Sequence, residues 1–231
     1  MKRGRWVLSF LTVSALLAVS AQAQEAPTAV GRITYGDAQR RGQAVCSGTL
    51  VAPDLVLTAA HCVRDMVANP GAIRFAAGYD RGRIRAAGRG RKIVLAEAPE
   101  GATSALAGDM ALIVLEAPMR AKGLVPLAIA PAKGERFSII GYRSDAPETA
   151  ERRDDCDWLA TSPGVMGLTC EAVSGNSGAG VLEWTGTDWV VVAVLVARDG
   201  PPIRSWAVVP QGDVTARTRA PTPSSHVPHA P

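Results

Sequence analysis

The segment Leu55-Val56-Leu57-Thr58-Ala59-Ala60-His61-Cys62 decides the fold of this chain. Its apolar, β-branched start predicts a short strand over Leu55–Ala60, directly before a histidine and a cysteine. A cysteine tied to an upstream strand would hold the neighbouring imidazole at a fixed position and angle, as a general base requires. A lone histidine is more often structural, but His61 is the only histidine between an N-terminal leader and a C-terminal tail. His61 is therefore the candidate base.

A second segment, Gly108-Asp109-Met110-Ala111-Leu112-Ile113-Val114-Leu115, places a carboxylate at the start of an apolar strand. A carboxylate that enters a core needs a partner, and an imidazole N–H would satisfy it while fixing the tautomer of the base. A turn that caps a strand also favours aspartate, so this segment alone is weak evidence. Asp109 is the candidate partner of His61.

A third segment, Val173-Ser174-Gly175-Asn176-Ser177-Gly178-Ala179-Gly180-Val181, surrounds a serine with glycines. Such a sequence allows a tight bend that exposes the Ser177 hydroxyl. The bend also points the backbone N–H groups of Gly175 and Ser177 into one pocket, where they can hold the oxyanion of a tetrahedral intermediate. Taken alone, the segment is also compatible with an ordinary turn.

The four cysteines favour two disulfides, because they are even in number in a chain that carries an export signal. Three pairings are possible. Each half of the chain holds two cysteines about 15 residues apart, and a local bridge of that length constrains the unfolded state by roughly 3 kcal/mol. We therefore expect Cys46–Cys62 and Cys156–Cys170. No Cys-x-x-Cys spacing exists and one histidine lies in the folded part, so we expect no zinc or other metal site.

The N-terminus has the layout of a secretory signal peptide, with a basic start, an apolar stretch over Trp6–Val19 and cleavage near Ala23. The stretch is short for a membrane span, so we expect export to the periplasm or the exterior without stable membrane insertion. Removing three of the 25 basic residues leaves 22 against 21 acidic residues. This balance gives no reason to expect a nucleic-acid partner, and the arginines of Arg81–Arg85 alternate as on the wet face of a hairpin.

Short β-rich runs between turn residues predict an all-β protein. A Pro- and Gly-containing stretch after Ala117 predicts a linker between two halves, and the Pro-rich C-terminus predicts disorder. The expected strands are Ala44–Val51, Leu55–Ala60, Ile73–Ala77, Arg81–Ala86, Lys92–Ala96 and Met110–Leu115, then Phe137–Tyr142, Val165–Thr169, Gly180–Trp184, Trp189–Ala197 and Ser205–Val209.

Together, the Thr-Ala-Ala-His-Cys run, the buried-strand aspartate and Gly-Asn-Ser-Gly resemble the chymotrypsin/trypsin-like serine peptidase family. The resemblance covers most of Val30–Pro210. It implies two six-stranded antiparallel β-barrels with the active site in the cleft between them, and a triad of His61, Asp109 and Ser177. It also implies a protein or peptide substrate, no cofactor and, as we expect, a monomer. The expected segments are a signal peptide (1–23), a first barrel (24–118), a linker (119–133), a second barrel (134–212) and a disordered tail (213–231).

The sequence departs from the family at three places. In zymogen-type members a new N-terminal amine pairs with an aspartate before the nucleophile, but here that position is Asn176. Val30-Gly31 resembles the mature start of the family, yet no basic residue precedes it, so we expect a site that is competent without cleavage. The substrate pocket is expected near Glu171, Val196 and Arg198, and it lacks the usual Ser-Trp-Gly, so no preferred side chain is predicted.

Two other functions compete with the peptidase. A protease fold that has lost turnover could serve as a binding module, although all three triad residues and the flanking glycines are present. An esterase of another fold would require Gly-x-Ser-x-Gly between a strand and a helix, and the glycine after Ser177 comes one position too early for that motif.

Overall fold

The computed structural model describes residues 26–35 and 45–219. The predicted signal peptide and the end of the predicted tail lie outside these residues. Within them the strands are β1 (Val30–Tyr35), β2 (Cys46–Ala52), β3 (Leu55–Thr58), β4 (Ile73–Ala77), β5 (Ala86–Leu95), β6 (Ala111–Leu115), β7 (Ala128–Ile129), β8 (Arg136–Gly141), β9 (Glu151–Ser162), β10 (Val165–Leu168), β11 (Gly180–Trp184), β12 (Trp189–Arg198) and β13 (Ser205–Val208). Three short 3-10 helices cover Ala60–Cys62, Arg64–Met66 and Pro70–Ala72, and one α-helix, α1, covers Gly212–Arg219.

The first six strands form a closed antiparallel barrel in the order β1-β2-β3-β6-β5-β4. Successive side chains of a strand point to opposite faces, and β4 follows this rule, because Ile73, Phe75 and Ala77 are buried and the residues between them are partly exposed. β3 and β6 are buried almost throughout, as their continuous apolar sequences predict.

The second barrel has the strand order β11-β8-β9-β10-β13-β12 and is closed by pairing of β11 with β12. The short strand β7 adds to the start of β12 in parallel. Buried side chains of facing strands, among them Phe137, Ile139, Val181 and Leu195, fill its core. Two closed six-stranded antiparallel barrels confirm the predicted fold class.

Some strand predictions were wrong. The strand predicted over Arg81–Ala86 is a turn up to Arg85, where Arg83 donates its backbone N–H to the carbonyl oxygen of Asp80 at 2.9 Å. The strand predicted over Lys92–Ala96 is the end of a longer strand, β5, which begins at Ala86. β1 and β9 were not predicted. A run of charged residues made β9 hard to predict. In the structure these residues are partly or fully exposed, and Arg152 pairs with Asp154 at 2.7 Å.

The C-terminal prediction also differs from the structure. Residues 213–219 were expected to be disordered, but they belong to α1. The side chain of Val214 is buried in the core, and this contact holds an otherwise polar helix against the rest of the fold. The stretch predicted as a linker, 119–133, contains β7, which hydrogen-bonds to the second barrel.

Candidate active site

His61 lies in the 3-10 helix that follows β3, and a disulfide holds this helix to the neighbouring strand. Cys62 is bonded to Cys46 at the start of β2. The second disulfide joins Cys156 to Cys170. Both predicted bridges are therefore present, and the first one fixes the backbone directly beside the candidate base.

Asp109 lies just before β6 and makes two hydrogen bonds to His61. Its Oδ2 is 2.6 Å from Nδ1 of the imidazole, and its Oδ1 accepts the backbone N–H of His61 at 2.7 Å. The carboxylate side chain is 11% exposed. With Nδ1 of a neutral imidazole donating to the carboxylate, Nε2 is left as the proton acceptor, which is the tautomer that a general base needs.

Arg64 also contacts Asp109, an interaction that the sequence analysis missed. Its Nη2 donates to Oδ1 at 3.0 Å, and its side chain is 53% exposed. Burial alone would raise the pKa of Asp109. The hydrogen bonds from His61 and the positive charges of His61 and Arg64 outweigh burial and lower this pKa below its ordinary value. The carboxylate therefore stays ionised.

The loop that carries Ser177 is organised by Asn176. The Asn176 side chain accepts the backbone N–H of Val173 through Oδ1 at 3.0 Å and donates through Nδ2 to the carbonyl oxygen of Tyr142, also at 3.0 Å. The side chain is buried. The amide that replaces the family's aspartate is thus hydrogen-bonded through both its oxygen and its nitrogen inside the second barrel.

Two glycines of this loop have backbone conformations that other residues rarely adopt. Gly175 has a φ of +97° and Gly178 a φ of +82°. A Cβ atom on Gly175 would meet the backbone of Arg143 and Ser144, and one on Gly178 would overlap the Thr58 hydroxyl. The glycines are required both for the turn and for the close approach of the two barrels.

The backbone N–H groups of Gly175 and Ser177 have no hydrogen-bond acceptor among the described residues, whereas those of Asn176 and Gly178 do. Asn176 donates its N–H to Val173 at 3.0 Å, and Gly178 donates to Leu195 at 2.8 Å. Gly175 and Ser177 are the pair predicted to bind an oxyanion. An arrangement of free donors on a rigid loop is suited to stabilising developing negative charge.

Ser47 connects this loop to the first barrel, a role that was not predicted from the sequence. Its hydroxyl donates to the carbonyl oxygen of Gly175 at 2.9 Å and accepts the backbone N–H of Tyr142 at 2.8 Å. Its own N–H donates to the carbonyl oxygen of Ser177 at 2.8 Å. The Ser177 backbone is therefore placed against the strand that starts at Cys46, whose disulfide partner follows His61 in the chain.

A cavity of about 360 Å³ opens beside Ser177. Val196 and Arg198, two of the residues predicted for the substrate pocket, line it, but Glu171 does not. Glu171 is exposed to solvent, because it lies between Cys170 and Ala172, whose side chains are both buried and leave its own side chain facing outward. The full lining is Ala172, Val173, Ser174, Ser177, Leu195, Val196, Ala197 and Arg198.

One group of side chains in the described part of the chain has donor atoms close enough together for a metal ion, namely Cys46, His61 and Cys62. Its two sulfur atoms are joined in a disulfide and are not available as thiolate ligands. No helix among residues 26–35 and 45–219 combines the length and the apolar character needed to cross a bilayer.

A family model described as a trypsin-like peptidase domain matches residues 46–194. Among curated proteins, serine protease 23 of Homo sapiens and of Macaca mulatta are each 29% identical over 162 residues, which is 59% of this chain and 42% of theirs. The chain thus covers less than half the length of these relatives.

Solved structures of similar fold include a thermostable serine protease, AL20, from an extremophilic microorganism. It has a TM-score of 0.58 at 20% identity, covering 79% of this chain and 91% of that one. A scabies mite inactivated protease paralogue, S-D1, has a TM-score of 0.63 at 13% identity, covering 79% and 87%. At these identities the likeness is one of fold.

Proposed function

Since the chain belongs to the trypsin-like peptidase family, we propose that it is a secreted serine endopeptidase with His61, Asp109 and Ser177 as its catalytic triad. The observation that carries this proposal is the His61–Asp109 pair, with its 2.6 Å hydrogen bond. This bond gives the imidazole the orientation and tautomer of a general base.

In the first half of the reaction Ser177 attacks the carbonyl carbon of the scissile peptide bond. Nε2 of His61 takes the hydroxyl proton as the Oγ–C bond forms, and the ionised Asp109 stabilises the resulting imidazolium. The same proton then passes from His61 to the leaving amine. The C–N bond breaks, and the acyl group remains on the Ser177 oxygen as an ester.

In the second half a water molecule replaces the amine. His61 accepts a proton from this water as the water attacks the ester carbonyl, and it returns the proton to Ser177 when the acid product leaves. In both halves the negative charge on the carbonyl oxygen faces the N–H groups of Gly175 and Ser177. Loss of one such donor typically costs about 3 to 4 kcal/mol of transition-state stabilisation.

The proposed site does not require a new N-terminal amine produced by cleavage of the chain. Val30 begins strand β1, pairs with Thr49 and donates its N–H to Pro27 at 3.2 Å. A residue held in this way is part of the first barrel and is not a free amine that could enter the second. Because Asn176 makes its hydrogen bonds within the second barrel, the nucleophile loop has a partner for this side chain before any cleavage.

Two disulfides within the described residues support export, because such bonds persist in oxidising compartments. The substrate of the proposed enzyme is a protein or peptide, bound across the cleft between the barrels.

The test is active-site labelling of the purified mature protein with a fluorophosphonate probe. We expect covalent labelling at Ser177 that Ser177→Ala and His61→Ala abolish. Thr185→Ala, which alters a hydroxyl in the exposed turn between β11 and β12, serves as the control and should label normally. A folded wild type that remains unlabelled contradicts the proposal and favours a protease fold that acts as a binding module.

A further inference from the structure

Among the described residues, Arg198 is the one charged side chain that lines the cavity beside Ser177. It ends strand β12, whose last residues form one wall of the cavity. The rest of the lining is apolar or small, apart from the hydroxyls of Ser174 and Ser177. A substrate side chain that enters this cavity therefore meets small apolar walls and a guanidinium group.

The guanidinium of Arg198 has no hydrogen-bond or ion-pair partner among residues 26–35 and 45–219. The nearest acid in the chain is already occupied: Asp199 accepts the indole N–H of Trp206 at 2.8 Å and the backbone N–H of Gly200 at 2.8 Å. Glu171 lies outside the cavity lining. Arg198 thus keeps its donors available for a ligand.

The chemistry of this cavity favours a carboxylate. A guanidinium presents several donors in a planar fork that matches the two oxygens of a carboxylate, and such charge-assisted bonds are stronger than neutral ones. A lysine or arginine side chain would face Arg198 with no acid in the lining to compensate it. An aliphatic side chain would pack on the walls but leave the guanidinium unpaired.

We propose that Arg198 binds the carboxylate of the substrate residue before the scissile bond, so that this peptidase cleaves after glutamate or aspartate. This inference rests on the proposed function, because it concerns the substrate class of the same site. Arg198 is a specificity-determining residue in this assignment. It does not touch the reacting atoms.

The hydrolysis experiment uses four peptides that are identical except for Glu, Gln, Leu or Lys before the scissile bond. We expect kcat/KM for the Glu peptide to exceed that for its neutral isostere, the Gln peptide, by about tenfold or more. Arg198→Gln should abolish this preference, and Arg198→Lys should keep part of it. Arg204→Gln is the matched control, since Arg204 is exposed and does not line the cavity.

A binding experiment separates this inference from the proposed function. Ser177→Ala lacks the nucleophile but keeps the cavity walls, and the affinities of the Glu and Gln peptides for it are measured by calorimetry. We expect about tenfold tighter binding of the Glu peptide, lost when Arg198→Gln is added. Equal affinities overturn the assignment of Arg198, whatever the hydrolysis result. A wild type that neither labels nor hydrolyses, with the binding preference intact, refutes the peptidase and leaves the carboxylate site standing.

Discussion

The backbone N–H of Ser47 donates to the carbonyl oxygen of Ser177 at 2.8 Å, so a strand of the first barrel is bonded directly to the residue proposed as nucleophile in the second. The Ser47 hydroxyl adds a second link, to the carbonyl oxygen of Gly175. The same strand begins at Cys46, which is bridged to Cys62 beside His61. Two consecutive residues, Cys46 and Ser47, therefore position the proposed base and the proposed nucleophile.

Ser47→Ala removes a buried hydroxyl that bonds both Gly175 and Tyr142. Leaving these groups unsatisfied should lower the free energy of unfolding by about 1–3 kcal/mol and slow fluorophosphonate labelling. Thr49→Val is the control, because the Thr49 hydroxyl is buried two residues away and has no hydrogen-bond partner in the described part of the chain. Denaturant unfolding and labelling rates check both variants, and equal effects of the two changes would contradict the role of Ser47.

Arg64→Gln removes the positive charge and the Nη2 donor that contact Oδ1 of Asp109. Because the Arg64 side chain is half exposed, the interaction is screened, and we expect the labelling rate to fall by about fivefold at most. The labelling rate of Arg64→Lys should lie between those of the wild type and Arg64→Gln. Arg136→Gln breaks an exposed pair with Asp157 at 3.0 Å that lies outside the candidate site. Its labelling rate should equal that of the wild type.

Asp109→Asn should reduce the labelling rate on the order of 10⁴-fold, because the amide cannot support the imidazolium. It should also change acid stability. The pKa of Asp109 is lowered in the fold, so its ionised form stabilises the protein fully above the ordinary value of 3.8, and this contribution is lost as the pH falls through the lowered value.

Unfolding free energies between about pH 6 and pH 2 measure this second effect. We expect the wild-type curve to fall more steeply than the Asp109→Asn curve below the ordinary aspartate value. Parallel curves would mean that Asp109 does not contribute to acid stability.

Gly178→Ala should destabilise the protein by more than about 3 kcal/mol, because the added methyl group overlaps Thr58 and Ser47 while the backbone stays at positive φ. Gly186→Ala separates the two causes. Gly186 has a φ of +100° but open space around its Cβ position, so its cost should be about 1 kcal/mol. Thermal unfolding measures both, and similar losses would argue against crowding at the barrel contact.

A protein that starts at Ala26 should label without further cleavage, and removal of the residues before Val30 should not increase the labelling rate. The reason is that Val30 is held in β1 and Asn176 already has both partners. Labelling rates of the two forms, with N-terminal sequencing after the reaction, check this. Activation that depends on cutting before Val30 would refute it.

The all-β class could be predicted from the short strand patterns, whereas the two-barrel arrangement and the pairing of His61 with Asp109 followed from the resemblance of three motifs to a known family. β9 could not be predicted, since its charged residues have low strand propensity and become favourable only between β8 and β10. Likewise, α1 depends on one buried contact of Val214.

The roles of Ser47 and Arg64 escaped prediction for a different reason. Each depends on contacts across a large sequence separation, since Ser47 meets Gly175 and Arg64 meets Asp109. An ordinary serine beside a cysteine carries no local signal for such a contact. The position of Glu171 outside the pocket depends on how the chain leaves Cys170, which the spacing of motifs does not reveal.

The hydrogen bonds from Ser47 to the Ser177 loop have a consequence for the synthesis and folding of the chain. The first barrel, with His61 and Asp109, leaves the ribosome before the second, and the loop around Ser177 gains its anchor only when the barrels dock. A chain that is only half made therefore carries the proposed base without an ordered proposed nucleophile. In the proposed peptidase, proteolytic activity would therefore arise only after the whole chain has been made and the two barrels have docked.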